Sequence, residues 1–204
     1  TWCQGMSAAL AAQPPGEVDW FLFPPAIYVQ SVQQHLSGSS VAWGLQHAGP
    51  ELGEGAFTGE LSLNMAAELG CSAVLVGHSE RRQLYSMTDQ DVTSLVVSSL
   101  KSDYIPIVCV GETLKQREKG LTLQIIQEQL AVVLSLHDNP DALGRIIIAY
   151  EPVWAIGTGK TAQPEQAEEV HSFIRSCLAS KSDSLAEQVR VIYGGSVKPN
   201  NAAE

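Results

Sequence analysis

A single carboxylate, Glu151, stands where the apolar run Arg145-Ile146-Ile147-Ile148 gives way to Pro152. The run has the composition of a fully buried parallel strand. The segment that follows, Pro152-Val153-Trp154-Ala155-Ile156-Gly157-Thr158-Gly159-Lys160, has an apolar middle and two glycines, and Gln163-Pro164-Glu165 then opens a helical pattern. A carboxylate on a rigid strand end, followed by a glycine-bearing segment, suits a general base under a movable lid. The strand fixes the base, and the lid excludes water while a proton is abstracted. The same spacing also fits a plain strand, turn and helix with an incidental glutamate.

Two other stretches hold residues of comparable interest. His78 lies between the apolar Ala73–Gly77 and a helical pattern beginning at Ser79, where a lone imidazole is more often a structural hydrogen bonder. Tyr193-Gly194-Gly195-Ser196-Val197 follows the apolar Val189–Tyr193, and its glycines leave backbone N–H groups free to meet an anion. Gly-Gly-Ser by itself is a weak motif, commonly just a turn.

These residues need mounts, and the chain provides them in alternation. Helical patterns are expected over Trp2–Gln13, Ile27–Leu36, Leu61–Leu69, Ser79–Tyr85, Asp89–Ser102, Glu112–Leu136 with a break near Gly120, Glu165–Ala179, and from Asn200 onward. Strands are expected at Val18–Phe23, Val41–Gln46, Ala73–Gly77, Pro106–Val110, Arg145–Glu151 and Val189–Tyr193. A long glycine-rich loop fills His47 to Glu60. Strands alternating with helices imply right-handed βαβ units and a parallel sheet. No G-x-G-x-x-G follows the first strand, which weakens a dinucleotide-binding reading. Gln46, His78, Glu151 and Ser196 all fall at C-terminal strand ends, the active face of a (β/α)8 barrel.

Composition narrows the classes further. Hydrophobic residues make up 45% and charged residues 17% of the 204 positions, as in a globular chain, and one domain over 1–204 is expected. A net charge of −10 argues against nucleic acid or an acidic membrane as partner. Cys3, Cys71, Cys109 and Cys177 are widely spaced, the five histidines show no ligand spacing, and so neither a disulfide framework nor a metal site is expected. No apolar run reaches the roughly 18 residues of a membrane span. No charged and then apolar leader opens the chain, so the expected location is the cytoplasm.

The thirteen residues of Ala149–Thr161 resemble the signature of the triosephosphate isomerase family essentially letter for letter. Val76-Gly77-His78-Ser79-Glu80-Arg81-Arg82, Tyr193-Gly194-Gly195-Ser196-Val197 and Gly55-Ala56-Phe57-Thr58-Gly59-Glu60 are similar to further motifs of that family, in its order. The resemblance implies an α/β fold of the TIM (β/α)8 type, here incomplete, with six clear strands and without the first and last. It implies interconversion of dihydroxyacetone phosphate and glyceraldehyde 3-phosphate through an enediolate, in glycolysis and gluconeogenesis, with no cofactor. Glu151 matches the base, His78 the electrophile, and Glu80 a further catalytic-site carboxylate. A neutral imidazole at a helix N-terminus beside a glutamate base is the arrangement described for this family. Gly157 and Ser196 match the phosphate contacts, and Pro152 to Lys160 the lid. Phe57, Thr58 and Gly59 match the tip of a loop that reaches across a homodimer. Cys109 and Glu112 match a Cys-Val-Gly-Glu run read as supporting structure.

Thr1-Trp2-Cys3 aligns with the end of the family's first strand, and Cys3 stands where the family has an active-site lysine. Impaired turnover is therefore expected. The alternative is an inactive relative that persists as a folded, oligomerising scaffold. A different phosphate-binding barrel enzyme is disfavoured by the complete lid signature.

Overall fold

The structure is a computed structural model that describes residues 2–12, 18–51, 53, 55–136, 143–156, 161–198 and 201. In chain order its first elements are α1 (Trp2–Ala12), β1 (Trp20–Leu22), α2 (Val29–Leu36), β2 (Val41–Leu45), α3 (Leu63–Glu68) and β3 (Ala73–Val76). Then come α4 (Ser79–Leu84), α5 (Asp89–Lys101), β4 (Ile105–Val110), α6 (Leu114–Glu118) and α7 (Thr122–Leu134). The last are β5 (Ile147–Tyr150), α8 (Pro164–Lys181), α9 (Asp183–Gln188) and β6 (Arg190–Tyr193). Contacts divide the chain into two compact units, Thr1–Leu75 with Ser98–Ile105, and Val76–Val97 with Pro106–Glu204.

In the first unit β1, β2 and β3 pair in parallel, Trp20 opposite Val41 and Gly44 opposite Ala73. Val29, Val32 and Leu36 are buried, one stripe of α2 at helical spacing. Ser62 caps α3 by accepting from the Met65 N–H at 3.2 Å. Trp43 donates to the Leu69 carbonyl at 2.8 Å and Tyr104 to the Leu63 carbonyl at 2.8 Å, so both polar tips are satisfied inside an apolar layer. At Gly44 a β-carbon would sit 2.7 Å from the Ala73 carbonyl carbon and 2.7 Å from the Phe23 ring. Gly44→Ala is accordingly expected to force β2 from β3 and to cost about 1–3 kcal/mol, the usual range for overpacking. The urea midpoint would fall at unchanged m, and an unchanged midpoint would refute the argument.

In the second unit β4, β5 and β6 also pair in parallel, with Val110 opposite Tyr150 and Tyr150 opposite Tyr193. Ile126, Leu130 and Val133 of α7 and Val170, Ile174 and Leu178 of α8 are buried, stripes of spacing three and four. All four residues of β5 are buried, as a central parallel strand requires.

The elements differ from the sequence expectation in a few places. The expected strand at Val18–Phe23 shortens to Trp20–Leu22, because pairing to β2 starts only at Trp20. Glu112–Leu136 resolves into α6 and α7, separated at Gly120 with φ +68. There the left-handed backbone suits glycine and ends the first helix. α9 was not expected; Ser182 caps it, accepting from the Leu185 N–H. Trp2 and Cys3 lie in the first turn of α1, not at a strand end, while Thr1 and the helix expected to start at Asn200 fall outside the described residues.

Candidate active site

Glu151 directly follows β5, and its N–H donates to the Val110 carbonyl at 2.7 Å, which extends the β4–β5 ladder by one bond. Its side chain is carried inward and the residue is 4% exposed. Two glycines make room for it. A β-carbon at Gly111 would lie 2.8 Å from the Glu151 carbonyl carbon, and one at Gly194 would lie 2.9 Å from Glu151 Cγ. The Gly194 N–H donates to the Tyr150 carbonyl at 2.7 Å, so the Gly194-Gly195-Ser196 turn begins beside the carboxylate.

His78 ends the link from β3 and caps α4. Its Nδ1 accepts the Glu80 N–H at 3.2 Å, and its Nε2 lies 3.1 Å from Glu151 Oε1. A backbone donor on Nδ1 places the ring's proton on Nε2, so Nε2–H points at the carboxylate. The Ser79 N–H donates to the other oxygen, Oε2, at 3.0 Å, and the Cys109 thiol donates to the Ile107 carbonyl at 3.9 Å. Burial raises the Glu151 pKa, and the neighbouring His78 and the Ser79 amide oppose that rise without cancelling it. The Cys109 thiol is pushed well above its ordinary value by burial and then by the adjacent carboxylate, so it stays protonated. This is a partly desolvated base joined to an N–H donor that can switch to a carbonyl oxygen.

Glu80 reaches this centre only through its backbone; its side chain is exposed. Ser196 is half-buried, and its carbonyl accepts from Asn201 Nδ2 at 3.3 Å. Gly157, Thr158, Gly159 and Lys160 lie outside the described residues. The earlier part of the expected lid is ordered by a short 3₁₀ turn, Val153–Ala155, in which Ala155 is buried. Phe57, Thr58 and Gly59 are exposed in the first unit, and the Glu60 N–H closes a turn on the Phe57 carbonyl at 3.0 Å. Cys3, also in the first unit, lines an apolar cavity of about 570 Å³ with Trp2, Phe23 and Tyr28.

Sequence reasoning passed over the grouping around Glu112. This carboxylate is fully buried and accepts from Arg117 Nη1 at 3.0 Å, Trp154 Nε1 at 2.9 Å and the Tyr150 hydroxyl at 3.2 Å. The Arg117 guanidinium also lies 4.8 Å from the Trp154 ring centre. The Cys-Val-Gly-Glu run flagged Glu112, but nothing in the spacing of 112, 117, 150 and 154 announces a cluster. Among the described residues no group of three or more side chains could hold a metal, and no helix is long and apolar enough to cross a membrane.

The model of the family described as triosephosphate isomerase matches residues 1–204. The chain belongs to the triosephosphate isomerase family. Its fold class is therefore the α/β TIM barrel, of whose eight strands six are present among the described residues. A triosephosphate isomerase of Nitrosococcus oceani is 50% identical over 181 residues, 89% of this chain and 72% of that protein. One from Coxiella burnetii (strain Dugway 5J108-111) is 48% identical over 182 residues, 89% of this chain and 71% of that one. Another, from Thiobacillus denitrificans, is 47% identical over 200 residues, 97% of this chain and 80% of the relative.

His171 on α8 adds a pH dependence to this unit. Its Nε2 is buried without a hydrogen-bond partner among the described residues, and its ring meets Tyr150 edge-on at 6.0 Å. Burial lowers its pKa; Glu168 works against that shift and Arg175 with it. Between the lowered folded value and the ordinary value of about 6.5, the unfolded chain binds more protons than the folded one. Stability from this group is thus complete above that window and falls as pH is lowered through it. Urea midpoints measured from pH 7.5 to 5 are expected to decline in the native chain and to decline less in His171→Phe. Equal slopes would contradict the assignment.

Proposed function

We propose that this chain interconverts dihydroxyacetone phosphate and glyceraldehyde 3-phosphate by proton transfer through an enediolate. The observation that carries the reading is the 3.1 Å approach of His78 Nε2 to the buried Glu151 carboxylate, with the imidazole proton placed on Nε2 by the Glu80 amide. On substrate binding, Nε2–H turns from Oε1 to the substrate carbonyl oxygen and polarises it. Oε1, released from that bond, takes the hydrogen of the neighbouring carbon. Ser79 keeps Oε2 in place, which limits the carboxylate's rotation. The acid so formed returns the proton to the adjacent carbon while the substrate's hydroxyl hydrogen passes from one oxygen to the other by way of His78 Nε2, and no cofactor enters the step. Glu80 contributes its backbone N–H to the site. Gly157 and Ser196 would bind the phosphate, and Pro152 to Lys160 would cover it.

In this reading residues 1–204 form a single TIM-type domain that acts in the cytoplasm as a homodimer or higher oligomer, with Phe57, Thr58 and Gly59 at the contact. Turnover is reduced, since a cysteine replaces the lysine that would stabilise the enediolate charge. Loss of one such preorganised contact costs about 3–4 kcal/mol, or 10²–10³ in rate. The same cysteine favours the second reading, a folded scaffold without activity. A coupled glyceraldehyde 3-phosphate assay on the native chain, with Glu151→Gln as control, separates the two. Turnover above the control supports the isomerase; equality with the control leaves the scaffold.

A further inference from the structure

Gln129 sits on the apolar side of α7. Ile126, Leu130 and Val133 are buried there, and Gln129 follows the first by three residues and precedes the last by four, which puts it on the same side of the helix. An apolar side chain at 129 would continue the stripe and give up less rotamer freedom on folding. Gln129 is instead half-buried, with its amide committed to one backbone residue. The Gly111 N–H donates to Gln129 Oε1 at 2.8 Å, and Gln129 Nε2 donates to the Gly111 carbonyl at 3.2 Å. This is the double exchange that two residues of an antiparallel strand pair make, with a side chain in the place of one strand. Only a carboxamide offers an N–H donor and a carbonyl acceptor side by side.

Gly111 is where this clamp meets the base, and all the residues concerned belong to the second unit. Gly111 follows Val110, whose carbonyl accepts the Glu151 N–H at 2.7 Å. A β-carbon at Gly111 would lie 2.8 Å from the Glu151 carbonyl carbon and 3.4 Å from its Cα, so the two main chains are in direct contact. The far end of Glu151 has little slack either. Oε1 lies 3.1 Å from His78 Nε2, and Oε2 accepts from the Ser79 N–H at 3.0 Å. A displacement of Gly111 is therefore passed to Glu151 and changes how the carboxylate meets the imidazole.

We propose that Gln129 is a positioning residue for the base: by clamping Gly111 it holds the Glu151 main chain, and through it sets the carboxylate against His78. It touches neither substrate nor the reacting atoms. The inference rests on the isomerase reading and deepens it. A glutamine that only docked α7 on the end of β4 would affect stability and leave both kcat and the Glu151–His78 hydrogen bond as they are. A glutamine that positions the base moves both.

The test compares the native chain with Gln129→Met, which keeps the length of the side chain and removes both bonds, and with Gln129→Glu, which can still accept from the Gly111 N–H. Kinetics are measured well below the onset of unfolding of each variant. In Gln129→Met kcat is expected to fall about tenfold with KM within twofold, since a misplacement of the order of an ångström costs up to about 10²-fold. Gln129→Glu, with one bond kept, is expected to lose less. A kcat within twofold of native in folded Gln129→Met overturns the proposal, as does a loss carried by KM alone. A second readout needs no turnover: the His78 Nε2–H proton signal of chain labelled at histidine nitrogen, assigned by its absence in His78→Gln. That signal is expected to move upfield in Gln129→Met and by a smaller amount in Gln129→Glu, as the bond to Oε1 loosens. A signal at the native position in both variants overturns the proposal. Should Gln129→Met not fold, Gln129→Glu decides alone: a lowered kcat and a moved signal are expected, and native values of both overturn it. A native chain with no turnover refutes the isomerase reading, while the imidazole signal still decides whether Gln129 sets the Glu151–His78 pair, so the two failures are distinct.

Discussion

Replacing Glu151 by glutamine is expected to lower kcat by about 10²–10⁴ with little change in KM. That is the range a positioned general base contributes. The amide keeps the shape of the carboxylate and can still accept from the Ser79 N–H, which now donates to Oε2 at 3.0 Å. It cannot take a proton from carbon at neutral pH. Burial has raised the native carboxyl's pKa, so the glutamate is a stronger base than an exposed one, and removing it removes that advantage as well. Stability is expected to change in the opposite sense at high pH. A group whose folded pKa is raised contributes stability below its unfolded value of about 4.5 and loses it as pH rises through the folded value. The variant, having no charge to bury, should therefore match or exceed the native chain in thermal stability at pH 8. If the native chain turns over, a variant rate within tenfold of it would place the base elsewhere.

Glu112→Ala is expected to have the largest effect on stability. The native carboxylate is fully buried with three donors on it, from Arg117, Tyr150 and Trp154. Alanine leaves the Tyr150 hydroxyl buried without its acceptor and the guanidinium without its counter-charge. Breaking a buried ion pair from one side costs about 3–5 kcal/mol. For a chain of this size each kcal/mol corresponds to about 2–4 °C, so Tm should fall on the order of 10 °C. Glu112→Gln, which keeps an acceptor, should recover part of that loss. Under the proposed isomerase reading activity should fall too, because Trp154 lies in the proposed lid and Tyr150 immediately precedes Glu151. A melting temperature within about 2 °C of native would show that the cluster contributes nothing net.

The fold was largely readable because its helices and strands carry their periods openly. The buried triplets of α7 and α8 fall at helical spacing, and β5 is an uninterrupted apolar run, so local pattern and tertiary burial agree. α9 was missed because its six residues, Asp183–Gln188, bury only Leu185, too few contacts to leave a stripe. The ends of β1 depend on its neighbour's register, not on its own composition. At the site, Glu151 and His78 were legible as a pair through the family motif, and the structure puts them 3.1 Å apart. The Ser79 amide on Oε2 could not be read, since a backbone donor has no letter of its own. The Glu112 cluster depends on the side chains of Arg117, Tyr150 and Trp154, which meet only after β4, β5 and α6 are packed.

The glycines at 111 and 194 leave no space for a side chain beside Glu151: a β-carbon would stand 2.8 Å from its carbonyl carbon at the first and 2.9 Å from its Cγ at the second. The two obstructions differ in kind, since one neighbour is main chain and the other the stem of a side chain. Position 194 can therefore be compensated in a selection for folding, though not for turnover, by second changes that let the glutamate stem lean away and ease the Tyr150 carbonyl oxygen, 3.2 Å off. Position 111 cannot, because no substitution elsewhere deletes a carbonyl carbon. A saturation library spanning 110–112 and 193–195 should thus return suppressible lesions at one glycine and permanent gaps at the other.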